Sequence, residues 1–205
     1  MASNREQNTN RISSRMSKHE SEESTLVWLG KEIISTLICV GVILGIFLLI
    51  QTFLFAQVSI DGQSMAPTLQ PNDRLISNKI SSIERFDIVV FDSPDEPDKQ
   101  YIKRVIGIPG DHVEFTEDQL YLNGEAVDEP YLNEIIDAYP GTYTANFSMV
   151  DITGEETVPE GQYFVMGDNR VNSRDSRSFG FISEEAISGE TRLQLWPLSE
   201  VGFLY

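Results

Sequence analysis

The sequence predicts an all-β domain carried on a single N-terminal membrane helix, and three observations predict it. No charged residue lies between Glu32 and Asp61, a stretch longer than the roughly 20 apolar residues that span a bilayer core. Beyond it, short runs of β-branched and aromatic residues alternate with turn signals, which is the pattern of strands. Before it, residues 1–24 are rich in Ser, Asn, Arg and Glu and hold almost nothing with which to build a core.

That first segment cannot offset the entropy of ordering and is read as a disordered cytoplasmic tail. Residues 25–58 form the membrane-anchoring segment, with a transmembrane helix expected over about 33–58. A buried core helix seldom runs this far without a polar face. A cleaved leader ends in small residues at its cleavage site, whereas Phe53-Leu54-Phe55-Ala56-Gln57 puts bulky Leu54 two positions before Ala56. Arg15, Lys18 and Lys31 precede the span, and no Lys or Arg follows it until Arg74. The excess of positive residues before the span keeps the amino terminus in the cytoplasm and sends residues 59–205 across the membrane as an extracytoplasmic domain.

The net charge of −17 belongs wholly to the remainder of the chain, because residues 1–32 carry five basic and five acidic side chains. A domain this acidic repels nucleic acid. Cys39, the sole cysteine, lies within the span. The external part therefore has no disulfide, no thiol nucleophile and no zinc ligand set. His112 is its only histidine.

The external strands follow in order. Ile88-Val89-Val90-Phe91 is bounded by Asp87 and Ser93-Pro94, and Tyr101 to Gly107 is closed by Ile108-Pro109-Gly110-Asp111. A further strand follows His112. Leu120-Tyr121-Leu122 and Ala126-Val127 flank Asn123-Gly124, a pair that tolerates positive φ at both positions of a two-residue hairpin turn. Gln162–Met166 and Thr191–Trp196 complete the set. A short helix is expected from Ser183, with Glu184 and Glu185 at its positive end. Residues 135–154 show weak periodicity and read as a long excursion, with an added lobe as the alternative.

Ser64 sits in Asp61-Gly62-Gln63-Ser64-Met65-Ala66-Pro67-Thr68-Leu69. Gly62 allows close backbone approach and Pro67 fixes the following turn, so the loop suits a nucleophile whose own amide faces a developing oxyanion. Taken alone, Ser64 reads more readily as a plain turn serine. Lys103 shares a strand face with Tyr101 and Val105, while Arg104 points the other way. Burial there would depress its pKa from about 10.4 and free an amine to act as a base, but a snorkelling surface lysine also fits. The third cluster is Gly167-Asp168-Asn169-Arg170-Val171-Asn172-Ser173-Arg174-Asp175-Ser176-Arg177. It reads either as a solvated loop or as a scaffold in which Asp175 pairs with Arg177 and Ser173 positions the amine.

Three blocks occur in one order: Ser-Met-x-Pro-Thr-Leu at 64–69, Lys-Arg-Val-Ile-Gly-x-Pro-Gly-Asp at 103–111, and Gly-Asp-Asn-Arg-x-Asn-Ser-x-Asp-Ser-Arg at 167–177. With them, residues 25–205 resemble the type I bacterial signal peptidases, in particular their short, single-span Gram-positive branch. Phe86-Asp87-Ile88-Val89-Val90 resembles a fourth block, with Phe86 in place of the usual glycine. The resemblance implies an all-β fold of antiparallel sheets. It implies a Ser–Lys endopeptidase that removes signal peptides from exported preproteins after small residues, at Ala-x-Ala-type sites.

By the same resemblance Ser64 is the nucleophile, Lys103 the general base and Ser173 the residue that orients the lysine. Asp168, Arg170, Asp175, Arg177 and Arg104 support the site, and Ile60, Met65, Leu69, Tyr101 and Ile102 form the pocket for small side chains. Partners are signal peptides, the lipid bilayer and, transiently, the secretion translocon; no cofactor, metal or nucleic acid is expected. The chain is placed in the plasma membrane. Gly62 departs from relatives that carry a hydroxyl donor two positions before the nucleophile. Self-cleaving repressors of the SOS type share the dyad but are soluble, and a catalytically silent paralogue would lack Ser64 or Lys103.

Overall fold

The computed structural model describes residues 28–48 and 55–204, in two separate units. The first unit contains helix α1, Trp28–Leu48, which is 21 residues long. At about 1.5 Å per residue it reaches the thickness of a hydrocarbon core. Its large apolar side chains, from Trp28 to Leu48, are exposed, the arrangement that suits a lipid rather than a protein surround. The helix starts earlier than expected, and the expected far end is not helical: Phe55–Ser59 is strand β1. An apolar run does not say by itself where a lipid-facing helix gives way to a strand.

The second unit is built on two antiparallel sheets. The first contains β1, β2 (Arg74–Asn78), β3 (Ile88–Asp92), β4 (Gln100–Gly107), β9 (Gln162–Met166), β10 (Ile182–Ser183) and β11 (Ile187–Trp196). Their order is β1-β2-β11-β3-β4-β9-β10, and β12 (Gly202–Phe203) pairs with β11. The second sheet runs β7-β6-β5-β8, from β5 (Val113–Thr116), β6 (Gln119–Leu122), β7 (Glu125–Val127) and β8 (Phe147–Ser148). Among its described residues the α-helices are short: α2 (Asn133–Ala138), α3 (Met149–Thr153) and α4 (Ser176–Phe179).

Alternation along the strands sorts side chains into distinct cores. Ile106, Phe164 and Met166 meet Val113, Phe115 and Leu120 of the second sheet, while Val105, Tyr163 and Val165 pack with Val89 and Phe91. A third cluster joins Ile60, Met65, Leu69, Leu75 and Ile88. The hairpin at Asn123-Gly124 forms as expected, with Leu122 opposite Glu125 and positive φ at both turn residues.

Two expectations need correction. No α-helix starts at Ser183; the chain makes a single 3-10 turn, Glu184–Ala186, and Ser183 gives no side-chain cap. One turn with no cap and no buried face has little to extend it. Residues 135–154 supply β8, which pairs with β5, and Met149, which lies within the first core. They extend the smaller sheet instead of forming a lobe of their own.

Candidate active site

Ser64 lies in the loop between β1 and β2, and its apolar neighbours hold that loop. Met65 and Leu69 are fully buried on either side of the Pro67 turn. Leu69 N–H donates to Met65 O at 3.0 Å, and Asn72 N–H donates to Ile60 O at 2.8 Å. The serine thus stands on a segment whose ends are anchored in the core, with its own side chain half-buried.

Lys103 reaches it from β4. Its Nζ lies 2.7 Å from Ser64 Oγ and 3.0 Å from Ile102 O, and the residue is 3% exposed. The strand places Tyr101, Lys103 and Val105 on one face, with the Tyr101 ring 5.1 Å from the amine. Burial pushes the lysine pKa down from 10.5 to about 8, against the opposing pull of the Asp175 and Asp168 carboxylates. The pairing is that of a hydroxyl and a poorly solvated amine, a base that can lose its proton near neutral pH.

Arg104, one residue on, faces the opposite side of β4. Its guanidinium grips Asp168 with two bonds, Nε to Oδ1 at 3.0 Å and Nη2 to Oδ2 at 2.7 Å. Thr68 Oγ1 also donates to Asp168 Oδ2, at 2.6 Å, which ties the serine loop to the same carboxylate. Arg104 Nη1 donates to Phe86 O at 2.9 Å. Phe86, standing where glycine was expected, has φ of 72°, the left-handed region that glycine enters without cost. The Arg104 guanidinium further lies 3.8 Å from the centre of the Tyr131 ring.

Two further ion pairs involve residues of the polar loop. Arg177 donates to both oxygens of Asp175 at 2.8 Å, and Gly167 N–H donates to Asp175 Oδ2 at 3.1 Å. Burial raises the Asp175 carboxyl pKa, but the Arg177 guanidinium, with the Gly167 amide, holds the carboxyl below its ordinary value. Arg170 pairs with Glu129, through Nη1 at 3.0 Å and Nη2 at 2.5 Å, and donates from Nε to Gly167 O. Glu129 also accepts from the Tyr131 hydroxyl, and Tyr143 Oη donates to Asp168 O at 2.8 Å.

Among the described residues the buried Ser173 hydroxyl makes no well-formed hydrogen bond, to Lys103 or otherwise. Its nearness to Asp175 adds a smaller pull on that carboxyl than Arg177 and the Gly167 amide do. Gly167 explains why these groups meet at all. A Cβ placed on it would stand 2.2 Å from Ser173 Oγ and 2.4 Å from Ser64 O. Gly167→Ala should therefore displace the serine loop and lower cleavage on the order of 10²-fold, the cost of about 1 Å of misplacement in a catalytic site. Comparing turnover with the unfolding midpoint of the variant separates this effect from loss of fold.

A cleft of about 720 Å³ opens beside the pair, lined by Val58, Ile60 and Gly62 on one side and Gln100, Tyr101 and Ile102 on the other. Of the expected pocket residues, Ile60, Tyr101 and Ile102 line it, whereas Met65 and Leu69 are buried in the cluster that Ile60 shares. The β4–β9 ladder begins at Arg104 opposite Met166. Among the described residues, Gln100–Lys103 are thus paired on the β3 side alone.

Sequence reasoning brought Ser64, Lys103, Arg104, Asp168, Arg170, Ser173, Asp175 and Arg177 to this region and missed Glu129, Tyr131 and Tyr143. Those three carry no motif of their own and reach the site only through the fold.

Residues 33–196 match the family described as signal peptidase, peptidase S26. The chain is 42% identical over 164 residues to a signal peptidase I of Bacillus caldolyticus, covering 76% of this chain and 87% of that protein. It is 40% identical over 181 residues to signal peptidase IB of Staphylococcus aureus strain COL, covering 84% and 94% respectively. The crystal structure of a signal peptidase I from Enterococcus faecalis V583 aligns with a TM-score of 0.52 at 42% identity, over 54% of this chain and 97% of that one. The family match over residues 33–196, with these relatives over most of its length and an antiparallel two-sheet domain, makes this chain a member of the signal peptidase family, peptidase S26.

Proposed function

We propose that this protein is a membrane-bound serine endopeptidase that removes signal peptides from exported preproteins, with Ser64 as nucleophile and Lys103 as general base. The observation that carries the reading is the 2.7 Å approach of a buried amine to the Ser64 hydroxyl. The neutral amine takes the hydroxyl proton as Ser64 Oγ attacks the scissile carbonyl, and the Ser64 amide faces the developing oxyanion. The ammonium then returns its proton to the departing amine, leaving an acyl-enzyme. Water attacks that ester and gives a proton to Lys103, which passes it to Ser64 Oγ as the acyl–Oγ bond breaks and the signal peptide leaves with a new carboxyl terminus. Ser173, Asp168, Arg170, Asp175, Arg177 and Arg104 hold this arrangement.

The open side of Gln100–Lys103 suits an extended substrate that adds as a strand, since such a segment gains main-chain bonds from the edge and specificity from pockets at alternate positions. Ile60, Tyr101 and Ile102 leave room for small side chains there. The N-terminal helix anchors the domain in the bilayer, and the positive residues before it favour a cytoplasmic amino terminus with the catalytic unit outside, close to the translocon that delivers its substrates.

A peptide series with leucine at each position before the scissile bond tests the specificity. Leucine at the first or third position should reduce cleavage at least about tenfold, and leucine at the second should be tolerated, since a misfitted pocket costs on the order of 1–3 kcal/mol. Equal cleavage with leucine at the first position would overturn the signal-peptidase reading even with Ser64 catalytic.

A further inference from the structure

Two successive carbonyls of the serine loop turn toward one residue. Asn169 Nδ2 donates to Gln63 O at 3.1 Å, and Asn169 N–H donates to Ser64 O at 3.0 Å. Asn169 is itself held on both sides: Asp168 is buried against Arg104, Arg170 is buried against Glu129, and Asn172 N–H donates to Asn169 O at 3.0 Å. Its side chain is therefore presented from a backbone that has little freedom to move.

The hold on Gln63 O has a geometric effect one atom further along. The only cis peptides among the described residues precede Pro67 and Pro197, so the peptide joining Gln63 to Ser64 is trans. In a trans peptide the carbonyl of one residue and the N–H of the next point in opposite directions. Fixing Gln63 O toward Asn169 thus fixes the Ser64 N–H away from it. Ala66 N–H also donates to Gln63 O, at 3.1 Å, but that bond lies within the loop and would travel with it. The bond from Asn169 refers the peptide plane to the rigid strand end at β9.

This direction matters more here because position 62 is glycine, with open space where a side chain would begin. No hydroxyl there shares the oxyanion with the Ser64 amide. We propose that Asn169 is a positioning residue that aims the Ser64 amide at the oxyanion, an inference that rests on the Ser–Lys reading above.

The test uses the full-length protein in detergent and an Ala-x-Ala peptide, with kcat taken at the alkaline plateau where Lys103 is neutral in every variant. Asn169→Ala should lower kcat about tenfold and leave KM and the pH midpoint unchanged, since neither the cleft nor the lysine is touched. Asn169→Asp keeps the shape but offers only acceptors to Gln63 O, so its plateau kcat should fall below that of the alanine variant. A role in packing alone predicts the reverse order, because aspartate fills the site and alanine does not. Unfolding midpoints close to wild type for both variants confirm that the kinetic losses are local. Wild-type plateau kcat in both variants, a change confined to KM, or aspartate outperforming alanine would overturn the assignment. Retained cleavage by Ser64→Ala would instead remove the reaction on which it rests.

Discussion

Replacing Ser64 by alanine should reduce preprotein cleavage by about 10³-fold or more while leaving the protein folded and inserted. The size is the one expected when the proposed nucleophile is removed. The fold should survive because the hydroxyl bonds only to Lys103 among the contacts the loop makes. Met65, Leu69 and the Asn169-to-Ser64 backbone bond hold the loop without it. The measurement is the first-order rate of preprotein processing by the detergent-solubilised variant, beside its circular dichroism. More than about one per cent of wild-type activity would exclude Ser64 as the nucleophile.

Lys103→Arg should be as damaging as Lys103→Ala, although it keeps the charge. Guanidinium does not deprotonate in proteins and cannot take a proton from serine. The pH profile of the wild type carries the same information with a sign. The folded-state pKa is about 8, so the reactive free amine grows as pH rises through that value. Activity should climb from acid toward alkaline pH with a midpoint near 8, and any residual activity of Lys103→Ala should lack that limb. An arginine variant that cleaves well, or a wild type most active in acid, would make the lysine a structural cation.

The parts of this arrangement visible in the sequence are those written locally. Lys103 could be placed on a strand face with Tyr101 and Val105 because alternation is a local rule, and the hairpin at Asn123-Gly124 because positive φ selects its residues. The three blocks around Ser64, Lys103 and Asp168 fall into one order that composition alone would not supply. Long-range placement was not visible. Glu129 meets Arg170 across 41 positions, and Tyr143 meets Asp168 across 25; one acid and one tyrosine among many give no pattern from which to choose them. Strand β1 was hidden for another reason, since its residues continue the apolar run of the span and hydrophobicity does not separate the two. Met65 and Leu69 were expected in the substrate pocket, yet they serve as the footing of the serine loop. Both roles require apolar side chains, so residue type could not divide them.

The burial that lowers the Lys103 pKa also links the resistance of the domain to unfolding with proton activity. An unfolded lysine keeps its proton to about pH 10.4, whereas this one releases it at about 8. Between those values the unfolded state binds more protons than the folded state, so stability increases with pH across the window. Below about 8 both states are protonated, and the fold carries the full penalty of an enclosed cation, about 3 kcal/mol for a shift of this size. Above about 10.4 the penalty is gone. Set against the 5–15 kcal/mol typical of a folded domain, that is a large share to assign to one side chain. At neutral pH the scaffold gives up stability to hold this amine within reach of its free form.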